Sequence, residues 1–197
     1  RDLLIDNNSS INTVMINFLS IDCSTDVSSL FIKFKTKTFS KVLQSYKFNN
    51  DLLAKEIIDF ILKNGLEFNE LSQIFINQGP GNFSSLRASL AIAKGFSISK
   101  KLKLFGYNTF LWSSVKYFSK NESIFCLVKI RNKYFIKNFD KNLNVILEAK
   151  EISMNELLEK YKNKFKVIPK FMIKHFDEEI LKLDNINIAN LDHKDLE

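Results

Sequence analysis

The sequence predicts an α/β domain with a mixed sheet flanked by helices. Three observations lead there. Strand-like segments fill the first quarter of the chain, and helical and strand patterns alternate after them. Glycine is scarce, with five in 197 residues, yet four of the five lie between positions 79 and 106, joined there by Pro80. Two helical segments carry more apolar surface than one sheet face covers.

Residues 16–22 read as a first strand that ends on Asp22. Residues 28–36 alternate, with Leu30, Ile32 and Phe34 on one face and Lys33 and Lys35 on the other. That is a half-exposed strand whose lysines guard an edge. A third strand falls near 38–46. Asn50 or Asp51 caps a helix over 51–63, closed by Asn64-Gly65. Gln73 to Gln78 is a short buried strand that runs into the glycine loop. Ser84 or Ser85 caps a second helix over 85–99. Leu104 to Tyr107 is a strand, and Thr109 caps a third helix to about Phe118. Residues 123–130, 133–139 and 143–148 form a β-meander, and Ser153 caps a helix to Tyr161. Beyond Pro169 only 176–183 is helical.

The two early helices carry the strongest physical signal. On a wheel, Phe60, Leu53, Ile57, Ile61, Ala54, Ile58 and Leu62 fill about half the circumference, where a helix lying on a sheet needs a stripe nearer 100°. Over 86–99 the only charges, Arg87 and Lys94, fall within about 20° of one another. Ala88, Ala91 and Gly95 form a ridge of small residues open to close helix approach. Glycine inside a helix costs about 1 kcal/mol against alanine, so a packing reason is expected. Both helices are expected to be buried on more than one side, in an intermolecular bundle. Its contact residues are Leu53, Ile57, Phe60 and Ile61 from the first helix, and Leu86, Ala88, Leu90, Ala91 and Gly95 from the second.

Composition narrows the function classes. Apolar residues at 45% and charged residues at 26% mark a folded chain with a real core. Two cysteines, Cys23 and Cys126, exclude a disulfide scaffold and suggest a reducing compartment, and two histidines 18 apart exclude a His-x-x-x-His metal pair. No membrane span and no signal peptide are read. The net charge is +7, but only three of the 29 basic residues are Arg (Arg1, Arg87 and Arg131). Nucleic-acid surfaces lean on arginine forks, so a solvated lysine surface is the better reading, and the run Lys160, Lys162, Lys164 and Lys166 belongs to it.

The stretch Gln78-Gly79-Pro80-Gly81-Asn82-Phe83-Ser84-Ser85-Leu86-Arg87 joins a strand to a helix N-terminus. No Lys-Ser/Thr follows at P-loop spacing, and Ser84 stands where Gly-x-Gly-x-x-Gly wants its last glycine. It reads as a rigid turn, with Gly79, Pro80, Gly81, Phe83 and Arg87 as its structural residues. Together with Ala91-Ile92-Ala93-Lys94-Gly95 it resembles the Gly-Pro-Gly-Ser-Phe-Thr-Gly-Leu-Arg … Ala-Thr-Ala-Lys-Gly signature of the TsaB family. Leu19-Ser20-Ile21-Asp22-Cys23-Ser24-Thr25-Asp26 is similar to that family's Ile-Leu-Ala-Ile-Asp-Thr-Ser-Thr-Glu opening, and the resemblance spans about 15–137. The chain departs from the pattern at Ser85, where the family has glycine, and at Lys129, where it has aspartate. It also lacks the closing Pro-x-Tyr-Leu-Arg.

The resemblance implies an actin-like/ribonuclease-H-like fold with a shortened second lobe. Residues 1–14 would be an upstream extension, 15–107 an N-terminal lobe with the glycine loop and interface helices, and 108–197 the short C-terminal lobe. It implies a non-catalytic cytoplasmic scaffold that binds the catalytic subunit TsaD through a helix bundle, with the ATPase TsaE and tRNA reached through the complex and a homodimer when alone. No cofactor is expected. The alternative is a stand-alone ribonuclease-H-like nuclease or actin-like ATPase using Asp22, the position that is degenerate for phosphate or metal here. No third acid accompanies Asp22 and Asp26, and Cys23-Ser24-Thr25 has no glycine for a phosphate turn.

Overall fold

A computed structural model describes residues 16–25, 27–43, 50–115, 117, 121–130, 132–164, 166–167 and 189–190. The proposed extension 1–14, Asp26, Arg131, both histidines and the helix expected at 176–183 lie outside the described residues.

The first sheet is built from β1 (Phe18–Asp22), β2 (Ser28–Phe34), β3 (Lys37–Leu43), β4 (Gln73–Asn77), β5 (Lys103–Tyr107) and a terminal pair, Ala189–Asn190, numbered β10. Its order is β10-β5-β4-β1-β2-β3. β1, β4 and β5 run parallel, while β2, β3 and β10 are antiparallel to their neighbours. The hairpin β1–β2–β3 needs only short turns, whereas the parallel neighbours need crossovers. Those crossovers are α1 (Asn50–Lys63) and α2 (Phe83–Lys100). Each helix leads into a parallel strand of one sheet, so the two run in the same sense.

Pleating sorts the strand residues. Leu19, Ile21, Leu30, Ile32, Ile74, Ile76 and Leu104 join Leu53, Ile57, Phe60, Ile61 and Ala93 in one core beneath the helices. A row of rings lies across the sheet at the intervening positions: Phe18 stands 6.0 Å from Phe31 and 5.0 Å from Phe75, which stacks on Phe105 at 5.4 Å. α1 closes as expected. The Gly65 amide donates to the Leu62 carbonyl and the Leu66 amide to that of Ile61, a Schellman pair around Gly65 at φ +69.

The second sheet has the order β8-β7-β6-β9, with β6 (Ser123–Ile130), β7 (Lys133–Asp140), β8 (Val145–Ile152) and β9 (Lys166–Val167). One of its packing clusters takes Phe110 and Leu111 of α3 (Thr109–Val115) onto Ile124, Cys126, Val128 and Phe139. Another takes Leu157 of α4 (Met154–Lys160) onto Phe125, Leu127, Ile136 and Ile152.

The expected continuation of β3 from 44 to 46 lies outside the described residues. The structure corrects other expectations. β2, read as a half-exposed strand guarding an edge, pairs with β1 on one side and β3 on the other, and Lys33 is buried. α2 is capped by Asn82, whose side chain accepts from the Ser85 amide, and not by Ser84 or Ser85. At α3, Asn108 accepts from the Leu111 amide at 2.7 Å, while the Thr109 hydroxyl is used elsewhere. Asparagine caps as well as serine, so a cluster of such residues leaves the choice to the local chain path. Ala189–Asn190 pairs with β5 of the first sheet. The Ser153 cap stands as expected, accepting from the Glu156 amide at 3.0 Å.

Candidate functional site

Asp22 ends β1 and is buried. Its Oδ1 accepts from the Ser24 amide at 2.9 Å and the Ser24 hydroxyl at 2.6 Å, and its Oδ2 accepts from Asn77 Nδ2 at 3.1 Å. Asn77, at the end of the neighbouring β4, completes the cluster. Its Oδ1 accepts from the Gly79 amide at 2.8 Å and the Thr109 hydroxyl at 3.1 Å. Burial raises the Asp22 carboxyl above its usual range, against the hydrogen bonds from Ser24 and Asn77. The cluster therefore ties together the ends of β1 and β4, the glycine loop and the start of α3. Asp22 spends both oxygens inside the protein. No group of three or more His, Cys, Asp or Glu among the described residues is arranged to hold a metal. Burial pushes the Cys23 thiol to about 11 and the Cys126 thiol to about 12, so neither is a thiolate at neutral pH.

The loop hangs on this cluster. Gly79 adopts φ +98, a region that favours glycine. Gly81 passes the β1 end so closely that a Cβ there would lie 2.1 Å from the Ser24 carbonyl oxygen. That same oxygen accepts from the Asn82 amide at 2.9 Å. Close approach, rather than a cradle for phosphate, accounts for the second glycine. Beyond the loop a cleft of about 1300 Å3 opens toward the β6–β7 hairpin, with Thr25, Pro80, Asn82 and Phe83 on one wall and Lys129, Asn132, Lys133 and Phe135 on the other.

The expected bundle residues divide into two sets. Leu53, Ile57, Phe60 and Ile61 lie inside the first core, so they are structural and their placement in an outer contact is corrected. Leu90 packs partly against the same core, and Leu86 and Ala88 are half-buried. Ala91 and Gly95 face outward. The sequence arc was wider than the sheet can cover, and the surplus stays outside. Ile58 is 38% and Leu62 60% exposed on α1, and Ile98 is 63% exposed on α2. Leu62 and Ile98 both sit in the last turns of helices that run in the same sense and touch. Ala91 and Gly95 are exposed on the same side of α2 as Ile98. Phe83, 65% exposed, stands apart at the other end of α2, beside the cleft. Arg87 is exposed, with its guanidinium 5.3 Å from the Phe83 ring centroid. Asn77 was not singled out from the sequence, and Thr109 was read only as a helix cap, since the pairing of β1 with β4 brings Asn77 to Asp22 and Thr109 reaches the cluster through Asn77. A strand ending in a polar residue just before the glycine loop was the available signal.

The comparisons with known proteins agree with this fold. A family model described as TsaD: tRNA N6-adenosine threonylcarbamoyltransferase matches residues 52–167. The protein named tRNA threonylcarbamoyladenosine biosynthesis protein TsaB from Buchnera aphidicola subsp. Acyrthosiphon pisum is 30% identical over 132 residues, which is 65% of this chain and 59% of that protein. Its namesake from Buchnera aphidicola subsp. Schizaphis graminum is 28% identical over 116 residues, 58% of this chain and 55% of that protein. The chain thus spans little more than half the length of the curated relatives it matches. Among solved structures, YeaZ from Pseudomonas aeruginosa superposes with a TM-score of 0.61 at 13% identity, over 70% of this chain and 68% of that one. That likeness is one of fold, the α/β actin-like arrangement of a mixed sheet flanked by helices. The listed relatives are named TsaB, and with the family model running from α1 to β9, the chain belongs to the family described as TsaD: tRNA N6-adenosine threonylcarbamoyltransferase.

Proposed function

We propose that this chain is a non-catalytic scaffold subunit in the biosynthesis of tRNA N6-threonylcarbamoyladenosine. In this reading it binds a TsaD-like catalytic subunit through the outer sides of α1 and α2, and through that subunit reaches a TsaE-like ATPase and tRNA in the cytoplasm. The outer seam of Ile58, Leu62, Ala91, Gly95 and Ile98 carries the proposal. Burying an exposed Leu or Ile is worth on the order of 1.5–3 kcal/mol, so covering Leu62 and Ile98 supplies a large part of a stable contact. The names of the relatives support the pathway. The saturated Asp22 carboxylate supports a non-catalytic role over the rival nuclease or ATPase, because a metal would have to displace Ser24 and Asn77 from it. A homodimer would use the same seam. Among the described residues no helix is long and apolar enough to cross a membrane.

The test is co-purification with TsaD from the same source, followed by sizing. Leu62→Asp and Ile98→Asp each place a charge on an exposed position, so the chain should still fold while the complex is lost. A complex that persists with both variants removes the seam from the contact. Ile57→Asp is no test of assembly, because Ile57 is fully buried and the variant should unfold.

A further inference from the structure

The cleft between the glycine loop and the β6–β7 hairpin holds groups that a scaffold does not need. Its volume of about 1300 Å3 exceeds the roughly 300–1,000 Å3 that encloses a small molecule. Among the described residues its charged lining is Lys129 and Lys133, with no carboxylate. Lys129 lies over the Tyr134 ring at 5.5 Å and pairs with no carboxylate among the described residues. Lys133 shares Glu151 at 2.8 Å, a solvent-open pair of small worth that exchanges easily. At the mouth stands Phe83, largely exposed, with the Arg87 guanidinium on its ring. An open aromatic ring beside a guanidinium, facing ammonium groups across a groove, matches what a stacked base and its flanking phosphates require. A magnesium nucleotide is a poorer match, because Asp22 behind the loop has both oxygens occupied and offers no metal ligand.

From this juxtaposition we propose that the cleft is a groove for single-stranded RNA, with a base stacked on Phe83 and neighbouring phosphates on Lys129 and Lys133. The choice of RNA rests on the tRNA reading above; the stacking and phosphate chemistry does not. The groove is separate from the outer seam, so RNA contact and subunit contact fail independently.

The test is fluorescence anisotropy of the full chain with a fluorescein-labelled 12-nucleotide oligouridylate, titrated at several salt concentrations. The wild type should bind, and Phe83→Ala should weaken binding about fivefold or more. Lys129→Ala should lower the salt slope by about 0.7, the loss of one phosphate contact on a single strand. Leu62→Asp should bind the oligonucleotide like the wild type while losing TsaD, and Phe83→Ala should keep TsaD. Absence of binding at low salt would overturn the groove. So would a Lys162→Glu/Lys164→Glu pair that weakens binding as much as Phe83→Ala, which would mean attraction to the basic surface at large. Full competition by ATP at equal nucleotide concentration would mark a mononucleotide site and overturn it too.

Discussion

Gly95→Ala should move the isolated chain and its assembly in opposite directions. Gly95 lies inside α2, and a Cβ built there meets no atom within 4 Å. Alanine is favoured over glycine in a helix interior by about 1 kcal/mol, and nothing in the fold offsets that gain. For a domain of this size the substitution should raise Tm by about 2–4 °C. In the complex the same methyl would enter a contact where a partner helix comes close over Ala91 and Gly95. Extra volume in a packed contact costs about 1–3 kcal/mol, which weakens Kd roughly 5- to 150-fold. Circular dichroism melts of the dilute chain read the first effect, and calorimetric titration with a TsaD-like subunit reads the second. A lower Tm refutes the open placement of Gly95. An unaltered Kd refutes its place in the partner contact.

Two further expectations concern the loop and its anchor. In Gly81→Ala the new Cβ would stand 2.1 Å from the oxygen, 2.7 Å from the carbon and 2.8 Å from the Cα of Ser24, all backbone atoms that cannot swing aside. Overpacking and the lost Asn82 to Ser24 hydrogen bond together should cost about 2–4 kcal/mol and lower Tm by about 4–16 °C, and a melt within about 1 °C of wild type would contradict the close approach. Asp22 should give a signature in pH. Burial lifts its folded pKa above the ordinary 3.8, so the folded state holds a proton that the unfolded state has already released. The stability this contributes is complete below 3.8 and is lost as pH rises through the folded value. Wild type should therefore lose stability relative to Asp22→Asn across that window in urea titrations at stepped pH, and a relative gain there would show the sign to be wrong.

Much of the fold was legible because local chemistry and tertiary structure agree. The alternation of Leu30, Ile32 and Phe34 marks β2, the Asn64-Gly65 pair closes α1, and Ser153 caps α4. The glycine cluster marks the loop because a close approach to Ser24 leaves no room for a side chain at position 81. Less legible were the two-residue strands β9 and β10, which are too short to carry a period and exist only because β6 and β5 offer them edges. The caps at Asn82 and Asn108 were hidden among neighbouring serines and threonine of similar capping strength. The hub contacts were invisible for another reason: Asn77 meets Asp22, and Thr109 meets Asn77, across sequence distances that no local pattern records.

The sequence alone determined that α1 and α2 hold more apolar surface than one sheet can bury, since that follows from side-chain angles on a helix. It could not say which half of that surface faces inward, because a helix wheel has no origin until a sheet supplies one. The tertiary structure made that choice. It turned Leu53, Ile57, Phe60 and Ile61 into core and left Ile58, Leu62, Gly95 and Ile98 to meet whatever lies outside.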